Sequence, residues 1–463
     1  MPNPFELRGK RVLVVGLART GVATALFCAA RGANVTATDA RPENEIGGAI
    51  APFRTTGVSL ELGGHRENTF LEQDLIVPSP GVPADAPLLK AARANGVTVW
   101  SEVELADRFL RGRLIGITGS NGKTTTTSLV EHILKDAGFS TILAGNIGTP
   151  LIARVEQTSD ETVAVVELSS FQLELIETFR PNISVFLNLT PDHLDRHHTL
   201  EAYGRAKARI FQNQTEADSA ILNADDPATT PLAPAKPHVY WFSRKQRVAQ
   251  GAFVRGNEIV FRHDGQEEAV LSLTEIPLPG AHNVENVLAA VAATRLAGTE
   301  PAAIAKGVRS FAGVEHRLEF VAEISGVRYY NDSKATNVDA TLKALDAFPG
   351  RILIVLGGKD KGSDYTALQK PLREKAILAL LIGAAAEKIE KQITGSVAIE
   401  RAGTIERAVE TASHAARPGD VVLLAPACAS FDQFQNYEHR GRVFKDLVRQ
   451  LERQAASTTS GRG

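Results

Sequence analysis

The feature of this sequence that most constrains its fold is a regular alternation of short apolar runs with longer amphipathic stretches. The runs at 11–15 and 219–222 are mainly apolar and lead directly into Gly16 and Asn223. This order is typical of βαβ units, in which a helix joins two parallel strands. The sequence therefore predicts an α/β fold.

The motif-bearing stretches fall into three blocks. Three is also the number of domains that 463 residues suggest, at roughly 150 residues per domain. The second block opens near Arg113 and the third near Gly313. We therefore predict domains at 1–108, 109–313 and 314–463.

Charge and cysteine content exclude several classes of protein. The 51 Lys and Arg residues nearly balance the 53 Asp and Glu residues, so no overall field would draw the chain to nucleic acid or to an anionic membrane. Cys28 and Cys428 are too few for a disulfide framework. Neither a signal peptide nor an apolar run of about 18 residues occurs. We expect a cytoplasmic protein in a reducing environment.

The first block begins like a dinucleotide-binding unit. Its first strand leads into Gly16, Ala18 and Gly21, a helical stretch follows, and Asp39 ends the second strand. Ala18 stands where that motif has the glycine that lets pyrophosphate approach the backbone. This substitution argues against a nicotinamide-dependent dehydrogenase.

The second block carries the strongest local signal, a loop between an apolar strand and a helix that consists of Gly119, Ser120, Asn121, Gly122, Lys123, Thr124 and Thr125. In this context backbone amides and the helix dipole hold a phosphate. Lys123 would reach the β and γ phosphates of ATP, and the Thr124 hydroxyl would bind Mg²⁺. Ile117 occupies the position of the first glycine of the strict Walker A pattern, so an ordinary glycine turn is the alternative.

Two further residues of this block, Glu167 and His193, are candidates for metal chemistry, whereas Lys207 is not singled out by its own segment. Glu167 follows the apolar run TVAVV and is either a metal ligand beside the phosphate loop or a solvent-facing carboxylate. His193 lies in LNLTPDHLD and is either a metal ligand or an ordinary hydrogen-bonding residue, since Mg²⁺ prefers oxygen. Lys207 lies between Arg205 and Arg209, and composition alone indicates a solvated basic helix face.

The third block places polar residues after two predicted strands. NDSKATN occupies 331–337 and GGKDK occupies 357–361. Lysines and hydroxyls on such loops suit recognition of a carboxylate or a phosphate. Glycine-rich solvated loops without a ligand are the alternative for each motif.

Taken together and in this order, the motifs resemble the Mur ligase family over almost the whole chain. The resemblance is carried by GSNGKTT, GNIG, ELSSFQLE, LNLTPDHLDRH, GAHNVEN, GVEHRLE, NDSKATN and PACASFDQF. It implies a Rossmann-like N-terminal domain for a UDP moiety, a central P-loop ATPase domain with a parallel sheet, and a Rossmann-like C-terminal domain for the incoming amino acid. NDSKATN and ELSSFQLE resemble the members that add D-glutamate to UDP-N-acetylmuramoyl-L-alanine through an acyl phosphate, in cytoplasmic peptidoglycan precursor synthesis.

The resemblance also assigns residues to sites. The catalytic residues that it implies are Lys123, Glu167, His193 and Lys207. The metal ligands are Thr124, Glu167, His193 and Lys207, the last as a carbamylated lysine. The ATP contacts beyond the phosphate loop are Asn283, Asn286, Arg317 and Asp332. The contacts of the UDP substrate are Arg19, Thr20, Gly21, Asp39, Ser79, Gly81, Asn146 and Gln172. The D-glutamate contacts are Thr336, Lys361, Ser430, Phe431 and Tyr437, the last being Phe in a relative.

The cofactor implied by the resemblance is Mg²⁺, as two ions, with ATP as co-substrate. The implied partners are UDP-N-acetylmuramoyl-L-alanine, D-glutamate and ATP, and we expect a monomer that binds neither nucleic acid nor membrane. One rival class is a nucleotide-switch or transport ATPase, which would hydrolyse ATP without an amino acid. Another is a family member that adds a different amino acid or acts on folate.

Overall fold

The computed structural model describes residues 5–360 and 362–460, in which strands and helices alternate. The strands form three sheets in chain order, and the predicted α/β class is confirmed. Residue contacts define two compact units, Met1–Ile276 with Val284–Phe311 and Pro277–Asn283 with Ala312–Gly463. The division into three domains stays a prediction. Within the described residues, no helix has both the length and the apolarity needed to cross a bilayer.

The first sheet consists of β1 (Arg11–Val15), β2 (Asn34–Asp39), β3 (Ser59–Leu62), β4 (Leu75–Pro78) and β5 (Thr98–Val99). Its helices are α1 (Arg19–Ala30), α2 (Glu43–Ile46), α3 (Glu67–Leu71), α4 (Pro87–Ala94) and α5 (Glu102–Asp107). All strands are parallel in the order β3-β2-β1-β4-β5. The order reverses between β1 and β4, and ligands bind at the carboxyl ends of strands at such a switch point.

The second sheet consists of β6 (Arg113–Thr118), β7 (Thr141–Gly145), β8 (Val163–Glu167), β9 (Ile183–Phe186), β10 (Ser219–Asn223), β11 (His238–Ser243), β12 (Gly251–Arg255), β13 (Glu258–His263) and β14 (Gln266–Ser272). The helices of this block are α6 (Lys123–Asp136), α7 (Ser170–Leu173), α8 (Leu194–His197), α9 (Leu200–Ala208), α10 (Ala281–Leu296) and α11 (Pro301–Ser310). The strand order is β14-β13-β12-β11-β10-β9-β6-β8-β7.

The second sheet is parallel from β6 to β12, as predicted, but β13 and β14 extend it antiparallel. The turn between β13 and β14 is Asp264-Gly265, and both residues have positive φ angles of 47° and 79°. An Asp-Gly pair with this geometry is a favoured two-residue hairpin turn. The antiparallel extension is therefore a local hairpin added to the edge of a βαβ sheet.

The third sheet consists of β15 (Glu319–Ile324), β16 (Val327–Asn331), β17 (Ile352–Gly357), β18 (Ala376–Ile382), β19 (Ala398–Gly403) and β20 (Val421–Leu424). Its helices are α12 (Val338–Asp346), α13 (Gln369–Lys375), α14 (Ala386–Ile393), α15 (Ile405–Ala415) and α16 (Tyr437–Ser460). The order is β15-β16-β20-β17-β18-β19, and only β15 pairs antiparallel. Ile354 and Val355 of β17 pack into cores on opposite faces, as in a sheet covered by helices on both sides.

Helix α5 ties the first sheet to the second. The buried Glu104 carboxylate accepts hydrogen bonds from the backbone amides of Glu177 (2.9 Å), Thr178 (3.0 Å) and Phe179 (2.8 Å). Burial raises the pKa of Glu104, but these hydrogen bonds outweigh it and hold the pKa below its ordinary value. The ionised carboxylate therefore fixes the segment that leads into β9.

Candidate active site

The glycine-rich loop lies between β6 and α6, the context that the sequence predicts. Gly119 and Gly122 have φ angles of +149° and +83°. A Cβ on Gly122 would lie 2.3 Å from Asn286 Oδ1, so close approach as well as backbone conformation requires glycine there. Because α6 begins at Lys123, the positive end of its dipole faces the loop. This geometry suits an anionic phosphate.

The segment after β9 holds the loop in place. The Asn121 backbone N–H donates to Asn188 Oδ1 (2.8 Å), and the Ser120 N–H donates to the Asn188 carbonyl (2.9 Å). Asn188 Nδ2 donates back to the Asn121 carbonyl (3.1 Å), and Ser120 Oγ donates to the Thr190 carbonyl (3.0 Å). The LNLT motif thus fixes the conformation of the phosphate loop.

Two lysines converge on the same loop. Lys123 Nζ donates to the carbonyls of Gly119 (2.8 Å) and Ser120 (2.9 Å), and Lys207 Nζ donates to the Gly119 carbonyl (2.8 Å). Lys207 is 1% exposed, and its Nζ lies 4.5 Å from the centroid of the Tyr203 ring. Burial, followed by repulsion from Lys123, lowers the pKa of Lys207 well below its ordinary value.

The burial of Lys207 corrects the interpretation of its segment as a solvated basic face. In α9 the side chains of Tyr203, Ala206 and Lys207 are buried, whereas Arg205 is exposed. Only the packing of the helix distinguishes these neighbouring basic residues. A lysine with a depressed pKa carries the uncharged amine that acts as a nucleophile.

The candidate metal donors lie beside this loop. Thr124 Oγ1 donates to Glu167 Oε2 (2.8 Å), and Asn146 Nδ2 donates to Glu167 Oε1 (2.7 Å) at the end of β8. Thr124 and Glu167 are buried and offer oxygen ligands, which fit Mg²⁺. In the described part of the chain, no three His, Cys, Asp or Glu side chains form a metal-binding group. The roles of Thr124, Glu167 and Lys207 as metal ligands stay predictions.

His193 lies at the edge of this region. Its backbone is left-handed (φ 51°), and its side chain is 49% exposed. The ring lies 4.9 Å from the Phe171 ring and 6.2 Å from the Tyr203 ring, measured between centroids. Tyr203 thus contacts both His193 and Lys207. The role of His193 as a metal ligand stays a prediction.

Four of the predicted contacts of the UDP substrate lie around the turn after β1. A Cβ on Gly21 would lie 1.9 Å from the Gly16 carbonyl oxygen, so helix α1 packs directly on the turn. Ser79 Oγ donates to the same carbonyl (2.7 Å). Asp39 accepts from the Leu17 N–H (2.7 Å), and Arg19 Nη1 donates to the carbonyl of the second glycine of the GNIG motif (2.6 Å).

The other four UDP-substrate candidates lie on different segments. Thr20 accepts a hydrogen bond from Thr24 within α1, and Gly81 is exposed in the loop after β4. Asn146 lies beside Glu167, as described above. Gln172 is buried and forms a capping box at the start of α7. The structure thus brings Arg19, Thr20, Gly21, Asp39 and Ser79 to the turn after β1, and Asn146 belongs to the region of the phosphate loop.

In the second unit, the predicted ATP contacts are partly buried. Asn283 Nδ2 donates to the Pro279 carbonyl (2.7 Å). Asp332 is 6% exposed, and its N–H donates to a carbonyl at the end of β20 (2.8 Å). Burial raises the pKa of Asp332 to about 7, although the positive charges of Arg317 and Lys334 oppose this. Asp332 therefore carries a proton far more readily than an exposed carboxyl.

The predicted D-glutamate contacts follow the ends of β16 and β20. Thr336 is half-buried, Ser430 is buried, and the Phe431 side chain is 65% exposed. Tyr437 begins α16. Lys361 lies outside the described residues.

Sequence reasoning missed three residues that the structure joins to these sites. Arg41 forms a two-pronged ion pair with Asp39 (2.9 and 2.8 Å), and this pairing lowers the pKa of Asp39. Its position two residues after the aspartate that ends β2 could have indicated this pairing. The position of Tyr203 one helical turn before Lys207 could likewise have indicated that the two side chains lie on the same face of the helix. Arg440 gave no signal, because it lies in a helix rich in charged residues.

The fold and the loop define a phosphate-loop α/β protein. Three family models match its sequence: the Mur ligase MurD-like N-terminal domain at residues 10–101, the Mur ligase middle domain at 117–294 and the Mur ligase, glutamate ligase domain at 316–428. The chain belongs to the Mur ligase family, in the group of the UDP-N-acetylmuramoylalanine--D-glutamate ligases. The resemblance in its motifs is thereby confirmed.

Relatives of that name match nearly the whole chain. The one from Acidobacterium capsulatum is 56% identical and covers 96% of this chain and 97% of its own, and the one from Koribacter versatilis is 54% identical, with 97% and 99% covered. Among solved structures, MurF ligase from Thermotoga maritima in complex with ADP has a TM-score of 0.60 at 17% identity and covers 97% of both chains. UDP-N-acetylmuramate-alanine ligase MurC from the same organism has a TM-score of 0.59 at 20% identity, with 95% and 99% covered. These structures share the fold.

Proposed function

We propose that the protein is an ATP-dependent ligase that joins D-glutamate to UDP-N-acetylmuramoyl-L-alanine and releases ADP and phosphate. The relatives named above support this reaction, since they match over almost their full length. The structural observation that carries it is the convergence of Lys123 and Lys207 on the Gly119 carbonyl, beside the buried pair of Thr124 and Glu167. We place the reaction in cytoplasmic peptidoglycan precursor synthesis, catalysed by a monomer.

In the first step, the muramoyl-L-alanine carboxylate attacks the γ-phosphate of ATP, and ADP leaves as an acyl phosphate forms. Two anions must approach each other, so the positive charge of Lys123 at the phosphate loop lowers the barrier. The amide groups at the start of α6 hold the transferred phosphate. Mg²⁺, which we propose as two ions, supplies further charge neutralisation when bound.

The metal ligands that we propose are Thr124, Glu167, His193 and a carbamylated Lys207. An uncharged lysine amine adds to carbon dioxide, and loss of one proton to solvent leaves an anionic carbamate; the depressed pKa of Lys207 favours the uncharged amine. Replacement by alanine should abolish activity, and short-chain carboxylic acids should restore part of it. Full activity of Lys207→Ala, or a loss that no carboxylic acid relieves, would argue against the carbamate.

In the second step, the amine of D-glutamate attacks the carbonyl carbon of the acyl phosphate, and phosphate leaves. We assign D-glutamate to Thr336, Lys361, Ser430, Phe431 and Tyr437, and the UDP moiety to the turn after β1. The contacts of ATP with Asn283, Asn286, Arg317 and Asp332 also belong to this proposal. Tyr437 in place of Phe keeps the aromatic ring, so we expect little change in the amino-acid site.

The test is product analysis with purified enzyme, ATP, Mg²⁺ and UDP-N-acetylmuramoyl-L-alanine. ADP and a new amide should form with D-glutamate and not with other D- or L-amino acids. ADP release of equal rate without any amino acid would indicate a switch or transport ATPase instead. A product with folate or with another amino acid would move the protein to a different branch of the family.

A further inference from the structure

The third sheet supports a buried arginine that the proposed mechanism does not use. Arg440, near the start of α16, is 0% exposed. Its Nε donates to Ser333 Oγ (2.9 Å) and its Nη2 to the Ser333 carbonyl (2.8 Å), while both Nη atoms donate to the Cys428 carbonyl (3.2 Å each). Because burying a charge is costly unless its donors are satisfied, this guanidinium requires these acceptors.

The acceptors belong to the loops that carry the predicted amino-acid contacts. Ser333 lies three residues before Thr336 in NDSKATN, and Cys428 lies two residues before Ser430 in PACASFDQF. Ser333 Oγ also donates to the Tyr437 carbonyl (2.8 Å), which closes a link between the first loop and the start of α16. One side chain therefore joins the loop after β16, the loop after β20 and the helix that follows.

The loop after β17 packs against the same guanidinium. A Cβ on Gly358 would lie 3.2 Å from Arg440 Nη1 and 2.3 Å from the Ala429 carbonyl oxygen. The Lys359 N–H donates to the Ala429 carbonyl (2.8 Å), and the Ala429 N–H donates to the Lys359 carbonyl (3.2 Å). Glycine at 358 thus lets this third loop lie directly against Arg440 and the loop after β20.

We propose that Arg440 is a positioning residue that holds these three loops in register and so sets the affinity for D-glutamate without contacting it. This inference rests on the proposed function. The planar guanidinium offers five N–H donors in a fixed fork and can serve acceptors on two loops at once, whereas a lysine ammonium presents three donors at a single point. Loss of the fork should let the loops shift relative to one another.

The test compares Arg440→Lys and Arg440→Gln with the wild type, using the full chain and all three substrates. Because misplacement of a site by an ångström costs up to about a hundredfold, we expect KM for D-glutamate to rise about tenfold or more. KM for UDP-N-acetylmuramoyl-L-alanine should stay within about twofold, because none of its proposed contacts lies on these loops and its uniform binding is untouched. The share of ADP released without amide formation should rise.

Phe444→Leu is the matched control. Phe444 lies one turn further along α16, is 0% exposed and packs in the core on one face of the sheet. This variant should lose thermal stability while its three KM values stay at those of the wild type. The positioning role is refuted if both Arg440 variants keep the wild-type KM for D-glutamate, or if Phe444→Leu raises that KM equally. A wild-type enzyme that makes no amide would instead refute the proposed function.

Discussion

Replacing Lys207 with methionine should make the protein more stable and inactive. The Lys207 amine is buried beside Lys123, and it donates to the Gly119 carbonyl. Withholding an amine from water costs about 1–3 kcal/mol, and a hydrogen bond of this kind returns about 1 kcal/mol. Methionine fills a similar volume without that cost. We therefore expect the free energy of unfolding to rise by about 1 kcal/mol, which corresponds to about 2 °C or less in Tm for a unit of this size.

The gain should depend on pH. Burial, and then Lys123, hold the pKa of Lys207 in the folded protein below its ordinary 10.5. Between those two values the unfolded chain binds a proton that the folded chain does not, so wild-type stability rises with pH in this window. Methionine does not titrate. The advantage of Lys207→Met should therefore be largest near neutral pH and shrink as the pH approaches 10.5.

The assay is thermal unfolding in bicarbonate-free buffer at pH 7 and pH 9, followed by circular dichroism, together with ADP release under standard substrate conditions. Lys207→Arg serves as the charged control, because a guanidinium cannot shed its proton to escape the buried site. It should be less stable than the wild type. A methionine variant that unfolds at a lower temperature than the wild type, or that still turns over, would refute the reasoning.

Three other variants and one control test the loop and the fold. Lys123→Ala should lower ADP release by about two orders of magnitude or more at unchanged Tm, because it removes the charge that the phosphate needs; near-normal turnover would contradict the loop assignment. Gly122→Ala combines a positive φ with a Cβ only 2.3 Å from Asn286 Oδ1, and strain of about 1–3 kcal/mol should raise KM for ATP about tenfold. Gly138 also has a positive φ, but a Cβ there would meet no other atom, so the control Gly138→Ala should leave KM for ATP unchanged. An equal rise of KM in both variants would exclude the clash with Asn286 as the cause. Glu104→Gln should lower the free energy of unfolding, measured in urea, by about 2–4 kcal/mol, because an amide cannot accept every hydrogen bond that the carboxylate accepts. An unchanged urea midpoint would show that the hydrogen bonds of Glu104 do not stabilise the fold.

The residues that local pattern predicted are those at strand ends. Glu167 follows a run of buried apolar residues, and Lys123 follows a glycine turn before a helix. The spacing of apolar residues and the position of the glycines were therefore enough to place Glu167 at the end of β8 and Lys123 at the start of α6. The sequence analysis did not predict the hairpin of β13 and β14, because a short antiparallel addition does not disturb the βαβ alternation around it. Whether these residues perform the chemistry stays a matter for the experiments above.

By itself, the sequence determined the α/β class, the position of the phosphate loop and, through its ordered motifs, the family. These properties depend on short-range spacing, which the chain carries in full. Only the tertiary structure decided that Lys207 is buried while Arg205 is exposed, and that Arg440 joins the loops that follow β16 and β20. The reason is physical. The local sequence around a basic residue in a helix is the same whether its side chain faces water or protein, and only packing between distant segments determines which side chain is buried.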